Sequence, residues 1–215
     1  MTNDIRRVAV LGAGTMGAAI AAHAANAALA VDLLDLDRDA VQGGFERMLA
    51  ARPAALASPR LADRIRLGTF EEDFDRLADA DWVVEAVVER LEPKQDLLAR
   101  VEKTVGPGAV VSSNTSGLPL HSVAEGRSDD FRRRFLGTHF FNPPRYLKLV
   151  ELIPTADTDS EVVEAVRQLV ERVLGKGAVV AKDTPNFIAN RIGSFAGSGQ
   201  TGRRAILPSI RSSSQ

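Results

Sequence analysis

Two constellations in this 215-residue chain have the residue types and spacing to do chemistry. The first is Gly12-Ala13-Gly14-Thr15-Met16-Gly17, which fits G-x-G-x-x-G and is followed by an acid, Asp35, at about the ~20-residue spacing of a dinucleotide fingerprint. In that pattern Gly12 permits a tight turn, Gly14 lets the backbone approach a pyrophosphate, and Gly17 lets a helix pack closely on a strand. The open N–H groups of the helix and the positive end of its dipole then face the phosphates. A carboxylate at Asp35 accepts from both ribose hydroxyls of NAD and repels the extra phosphate of NADP. Asp37 lies past the strand end and reads as the N-cap of the next helix. Arg38 stands close enough to soften the exclusion of NADP. A glycine turn with no ligand is the competing reading; strand, glycines, helix and acid in that order weigh against it.

The second constellation is His139 with Glu151. His139 sits in a run, Leu136 to Phe141, that otherwise reads as buried strand, and Glu151 is an acid inside the apolar run Leu147 to Ile153. A buried imidazole and a buried carboxylate both need partners, and pairing with each other satisfies both. These two residues alone fit a catalytic pair and a structural pair equally.

The elements that must position these groups follow from periodicity. Short apolar runs occur at Val8–Leu11, Val31–Leu34, Arg64–Leu67, Trp82–Val84, Ala109–Val111, Phe135–Phe141, Leu147–Ile153 and Ala178–Val180. Helical stretches alternate with them at Thr15–Leu29, Arg38–Arg52, Glu92–Val105 and Ser160–Leu174. Runs apolar at successive positions predict strands covered on both faces, and the alternation predicts βαβ units. The fold class is α/β, a Rossmann-type doubly wound, mostly parallel sheet. The small residues Ala18, Ala19, Ala21 and Ala22 suit a first helix packed tightly on that sheet. The stretch Arg52-Pro53 to Ser58-Pro59 breaks the rhythm and reads as a bent helical excursion, a protrusion.

Composition removes several classes. The formal net charge is −1, so the electrostatic case for a nucleic-acid or anionic-membrane partner is lacking. There is no cysteine, which excludes disulfide and thiolate chemistry and fits a reducing compartment. No run is apolar for long enough to span a bilayer, and the start leads straight into a strand without the pattern of a signal peptide. A cytoplasmic protein is the expectation. No spacing of His, Asp or Glu suggests a metal site.

Further motifs sit where a doubly wound sheet holds its ligands. Ser112-Ser113-Asn114-Thr115-Ser116 follows the strand at Ala109–Val111; His139-Phe140-Phe141-Asn142-Pro143, Leu149-Val150-Glu151 and Lys182-Asp183-Thr184-Pro185-Asn186-Phe187-Ile188-Ala189-Asn190-Arg191 follow in turn. In this order and spacing the set closely resembles the 3-hydroxyacyl-CoA dehydrogenase family, from the glycine fingerprint to about Arg191. The phrases ERLEPK and HFFNPPRYLKL most resemble the dehydrogenase part of bifunctional β-oxidation proteins, whose enoyl-CoA hydratase module is not read here.

The resemblance implies NAD as cofactor and an acyl-CoA thioester as substrate. It implies His139 as the general base, Glu151 as the acid that fixes the imidazole tautomer, and Ser116 and Asn190 as holders of the substrate oxygen. Asn142, Val88, Glu89, Lys94 and Ser116 would meet the nicotinamide end, and Met16 would pack beside the cofactor, with Gly12, Ala13, Gly14, Thr15, Gly17 and Asp35 at the adenosine end. It further implies a helical domain after the NAD domain. Here the match fades after Ile192-Gly193, so the expected organisation is an NAD domain over 1–185, the start of a linker helix over 186–195 and a disordered tail over 196–215. The surface meant for the missing domain would favour a homodimer or other association.

The remaining candidates read as bland. His23 is a packing or surface histidine, His121 is solvent-exposed, and Arg132-Arg133-Arg134 is a solvated basic loop beside Asp129 and Asp130. Arg60, Arg64 and Arg66 are offered as contacts for coenzyme A phosphates.

Overall fold

The computed structural model describes residues 5–184 and 187–188. Eight strands form one sheet in the order β3-β2-β1-β4-β5-β6-β7-β8. The strands are β1 (Arg7–Leu11), β2 (Ala30–Asp35), β3 (Ile65–Thr69), β4 (Trp82–Glu85), β5 (Val110–Ser113), β6 (Phe135–Phe140), β7 (Leu149–Pro154) and β8 (Gly177–Val180). Each falls on one of the eight apolar runs. The helices are α1 (Thr15–Asn26), α2 (Arg38–Ala50), α3 (Leu91–Thr104), α4 (Leu120–Val123), α5 (Asp129–Arg133) and α6 (Ser160–Gln168), with a π turn at Leu169–Val173 closing the last helical stretch.

Pairing is parallel throughout except between β6 and β7. Residues 141–148 join those two strands, too short a link for the crossover that parallel strands need, so β7 turns back on β6. The antiparallel register sets His139 directly opposite Glu151.

Both faces of the sheet are covered, as the unbroken apolar runs require. One core packs α1, α2 and α6 against Val8, Val10, Leu33 and Trp82; the other packs α3, α4 and α5 against Ala9, Leu11, Val83 and Phe135. The indole N–H of Trp82 donates to Ser112 Oγ at 2.9 Å, so the largest core side chain keeps its polar atom satisfied. Ala18, Ala21, Ala22, Ala24 and Ala25 of α1 are buried, which lets the helix lie close over the strands, while Ala19 is part-exposed.

The bent excursion differs from expectation. α2 stops at Ala50, and the chain then runs irregularly to a single 3-10 turn at Pro59–Arg64. Side chains of other elements anchor it. Asn26 donates to the Ala55 carbonyl and accepts from Ala57 N–H, both at 2.8 Å, while Arg145 donates to the carbonyls of Ala54 and Leu56 at 2.8 Å. Prolines prevent a helix here, and backbone groups freed from helical pairing find side-chain partners instead. The basic run Arg132–Arg134 likewise lies on and just after α5 rather than in a loop: Arg132 pairs with Asp129 and Asp157, and Arg134 with Asp130. Asn190, most of the expected linker helix and the expected tail lie outside the described residues.

Candidate active site

The glycine turn leaves β1 and enters α1. Gly12 takes φ +103°, which L side chains rarely adopt, and a Cβ there would lie 2.7 Å from the Ala86 carbonyl oxygen. Gly17 is held even more tightly, since an added Cβ would come within 1.8 Å of the Gly12 carbonyl oxygen. Gly14 meets the opposite condition: nothing lies within 4 Å of where its Cβ would be. Gly14 is also the N-cap of α1 and offers no side-chain acceptor, so the first amides of that helix keep their anion-binding capacity. Both steric roles expected of Gly12 and Gly17 and the open face expected of Gly14 are present. One close approach escaped the sequence reading: Gly44 of α2, whose added Cβ would lie 2.0 Å from the Ala13 carbonyl oxygen. The Gly43-Gly44 pair inside a helical stretch was the available signal.

Asp35 ends β2 beside this turn. Its Oδ2 accepts the Ala13 N–H at 2.6 Å and its Oδ1 accepts the Leu36 N–H at 2.7 Å. The carboxylate is therefore oriented by the turn it serves. A cavity of about 390 Å³ opens here, lined by Gly12, Asp35, Phe70, Val88, Leu97 and Arg100. An acid at the rim of a mostly apolar cleft, with uncapped helix amides beside it, is a shape and chemistry that fit an adenosine and its ribose. Asp37 caps α2 as expected, accepting from Ala40 N–H at 2.8 Å. Arg38 is paired at 2.6 Å with Glu72.

Asn142 and Gly14 share a smaller cavity of about 130 Å³ with Thr15 and Pro143, which brings the β6–β7 link to the start of α1. Met16 packs against the core on that side.

Across the sheet, Nδ1 of His139 lies 2.7 Å from Glu151 Oε2. Both side chains are almost fully buried, at 6% and 1% exposure. Glu151 Oε1 accepts the backbone N–H of Ile188 at 3.0 Å. The rings of Phe141 and Phe187 flank the imidazole at centroid distances of 4.6 and 5.9 Å. With Nδ1 on Glu151, Nε2 is the nitrogen that remains for a substrate.

The loop carrying Ser116 follows β5. Glu89 holds it: its Oε1 accepts from Thr115 Oγ1 at 2.5 Å, Ser116 N–H at 2.8 Å and Gly117 N–H at 3.2 Å. Burial pushes the Glu89 carboxyl upward, but these hydrogen bonds and the nearby Lys94 charge outweigh it and hold the group below the usual carboxylate range. Lys94, expected at a nicotinamide ribose, has two carboxylates as neighbours. It is buried at 1% exposure, and its ammonium sits 2.7 Å from Glu85 Oε1 and 3.4 Å from Glu89 Oε2. A lysine placed inward on α3 needs a carboxylate there, and Glu85 at the end of β4 supplies it. Glu85 was not singled out in the sequence; an acid ending a fully apolar strand was the signal.

The other candidates are occupied elsewhere. Arg66 pairs with Asp32 at 2.6 Å, and Arg64 donates to the Ala28 carbonyl at 2.9 Å. His121 is exposed as expected, although its ring contacts Asp183 at 2.7 Å. His23 is buried against the Leu174 carbonyl. Among the described residues no group of three or more His, Asp or Glu would hold a metal ion, and no helix is long and apolar enough to cross a membrane.

Residues 7–184 match the model of the 3-hydroxyacyl-CoA dehydrogenase NAD-binding domain. A probable 3-hydroxyacyl-CoA dehydrogenase from Deinococcus radiodurans is 52% identical over 198 residues, covering 89% of this chain and 57% of that protein. A putative fatty acid oxidation complex trifunctional enzyme from Rickettsia felis is 41% identical, covering 91% of this chain and 28% of that protein. Among solved structures, 3-hydroxybutyryl-CoA dehydrogenase from Escherichia coli superposes with a TM-score of 0.81 at 33% identity, over 93% of this chain and 43% of that one. The chain thus spans little more than half, or about a quarter, of these relatives. By its sequence match, its sheet order and its nucleotide cradle, this chain belongs to the 3-hydroxyacyl-CoA dehydrogenase family and carries the family's NAD-binding domain.

Proposed function

We propose that this chain supplies the NAD-binding and proton-transferring half of an enzyme that oxidises L-3-hydroxyacyl-CoA to 3-oxoacyl-CoA in fatty-acid β-oxidation. The single observation that carries the reading is the buried pair His139–Glu151, 2.7 Å apart and opposite each other across two strands, on the same sheet as the glycine cradle. The name of the Rickettsia relative supports the β-oxidation setting. A cytoplasmic location belongs to the same reading and is supported by the cysteine-free composition.

NAD, when bound, supplies the acceptor for the hydride that leaves C3 of the substrate. The chain's own residues do the rest. Glu151 accepts from Nδ1–H of His139, which leaves Nε2 unprotonated and able to take the proton of the 3-hydroxyl. As that proton arrives the imidazole becomes a cation, and the Glu151 carboxylate stabilises it. Phe141 and Phe187 keep water from the ring, which strengthens both interactions. Ser116, on the loop clamped by Glu89, and Asn190 hold the substrate oxygen. Asp35 anchors the adenosine ribose and the first turn of α1 the pyrophosphate. Val88 lines the Asp35 cavity on the adenosine side, and Asn142 meets the start of α1 beside Gly14.

The test is NADH oxidation with acetoacetyl-CoA, run beside an NADH titration, for the parent chain and His139→Gln. Turnover that vanishes in the variant while NADH still binds upholds the proposal. Equal turnover in both chains overturns it. The coverage of the relatives favours one second reading, a cofactor-binding part that needs a helical partner domain to turn over. Binding without turnover, with activity restored when the remaining portion of a longer relative is supplied in trans, selects that reading.

A further inference from the structure

Between β4, β5 and α3 lies a buried polar network that the chemistry above does not use directly. Glu85 is fully buried at the end of β4. Its Oε1 accepts from Lys94 Nζ at 2.7 Å and from Val87 N–H at 2.8 Å, and its Oε2 accepts from Ser113 Oγ at 2.5 Å. Ser113 Oγ in turn accepts the Thr115 N–H at 3.2 Å, and the Glu85 carbonyl accepts the Asn114 N–H at 2.7 Å. Asn114 Oδ1 continues the chain to Phe140 N–H at 2.9 Å, next to His139. One carboxylate therefore fixes the turn after β4, the loop after β5 and, through that loop, the end of β6.

We infer that Glu85 is a positioning residue that sets the nicotinamide half of the cofactor site, by taking the larger share of the Lys94 charge from Glu89 and holding the Ser113–Gly117 loop in register with His139. The inference rests on the proposed cofactor reading. Lys94 has two carboxylates within reach, Glu85 at 2.7 Å and Glu89 at 3.4 Å. While Glu85 neutralises it, Glu89 is left to accept the three donors of the Ser116 loop. Removing the Glu85 charge leaves a buried ammonium whose remaining anion is Glu89, and attraction in a poorly solvated site pulls that carboxylate off the loop. In a doubly wound sheet the dinucleotide lies across the strand ends. Asp35 on β2 marks the adenosine side, and the turn after β4, Ala86–Val88, lines the same cavity, so β5 and β6 carry the other half.

The experiment compares NADH with ADP-ribose, which lacks the nicotinamide, by titration against the parent, Glu85→Gln and Ser113→Ala. The expected result is NADH binding weakened about ten-fold or more in Glu85→Gln and by a smaller factor in Ser113→Ala, with ADP-ribose binding weakened clearly less than NADH binding in Glu85→Gln and changed less than about two-fold in Ser113→Ala. Parallel loss of both ligands, or no loss of either, overturns the inference. If Glu85→Gln does not fold, Ser113→Ala decides alone, because it removes the two hydrogen bonds of Ser113 Oγ and leaves the ion pair in place. A parent that binds neither ligand overturns the cofactor reading and this inference together; a parent that binds both, with variants that lose both alike, overturns only the inference.

Discussion

Glu151 accepts the backbone N–H of Ile188 with one oxygen while the other meets the imidazole of His139. The carboxylate is thereby committed on both sides. Its partner on one side belongs to β6 and on the other to the segment that follows β8. Ile188 comes directly after Phe187, whose φ of +42° is strained for a residue with a side chain and whose ring lies beside His139. The base and the exit from the sheet are parts of one local arrangement.

That double commitment makes Glu151→Gln informative. An amide has one acceptor oxygen, and the Ile188 N–H requires it. The NH2 group is then left facing Nδ1, which must become an acceptor and move the ring proton to Nε2. The base is blocked without any loss of packing. Turnover is expected to fall by roughly 10²- to 10⁴-fold while NADH affinity stays within about two-fold of the parent. Steady-state rates and titration check the outcome, and ring nitrogen NMR shifts report the tautomer.

The glycine turn offers a paired prediction. Gly14 has φ −64° and open space where its Cβ would be, so Gly14→Ala is expected to leave the fold intact or stabilise it by about 0.4–1 kcal/mol. The same methyl occupies the space through which a pyrophosphate approaches, so NADH affinity should drop sharply. Gly17→Ala must displace α1 from the Gly12 carbonyl and is expected to cost about 1–3 kcal/mol or more. Thermal melts beside NADH titrations separate the two. A Gly14→Ala chain that binds NADH as well as the parent would refute the cradle.

How far the sequence reached depends on the kind of signal each residue carries. Gly12, Gly14, Gly17 and Asp35 belong to one contiguous βαβ unit, so local spacing is enough to read them. His139 and Glu151 were legible because each is an ionisable residue in an apolar run, though their facing register depends on β7 turning back, which periodicity does not encode. Lys94 shows the limit: the resemblance implies a place for it beside the cofactor, and only the fold reveals that its ammonium points at Glu85. The link between Glu85 and Ser113 escaped for the same reason, since the two lie on neighbouring strands rather than nearby in sequence. The excursion after α2 escaped because its anchors, Asn26 and Arg145, lie on other elements.

Cofactor choice should follow Asp35. Asp35→Asn keeps one oxygen acceptor, for the Ala13 or the Leu36 N–H, and removes the negative charge that opposes a 2′-phosphate. Arg38 is already paired with Glu72 and contributes little free positive charge. The expected change is a gain of roughly ten- to a hundred-fold in NADPH affinity relative to NADH, equivalent to about 1.4–2.8 kcal/mol. Parallel titrations of the two reduced cofactors measure it, and an unchanged ratio would remove Asp35 from the specificity assignment.

Acid stability should follow His23. Burial, then the nearby Lys176 charge, lower its pKa from 6.5 to about 4, with smaller contributions from Lys148 and Arg145; the hydrogen bond to the Leu174 carbonyl opposes them. Its Nδ1 is buried without a partner, so protonation of the folded chain gains no compensating bond there. The unfolded chain binds the proton from about pH 6.5 downward, while the folded chain refuses it until about pH 4. Stability from this group is therefore complete above pH 6.5 and is lost as pH falls between those values, by about 3 kcal/mol at about 1.4 kcal/mol per pH unit. His23→Leu removes the titration and should flatten that part of the curve, even though freeing the Leu174 carbonyl lowers stability at neutral pH by about 1–3 kcal/mol. Urea unfolding at a series of pH values measures both effects, and an undiminished acid slope in the variant would assign the lability to another group.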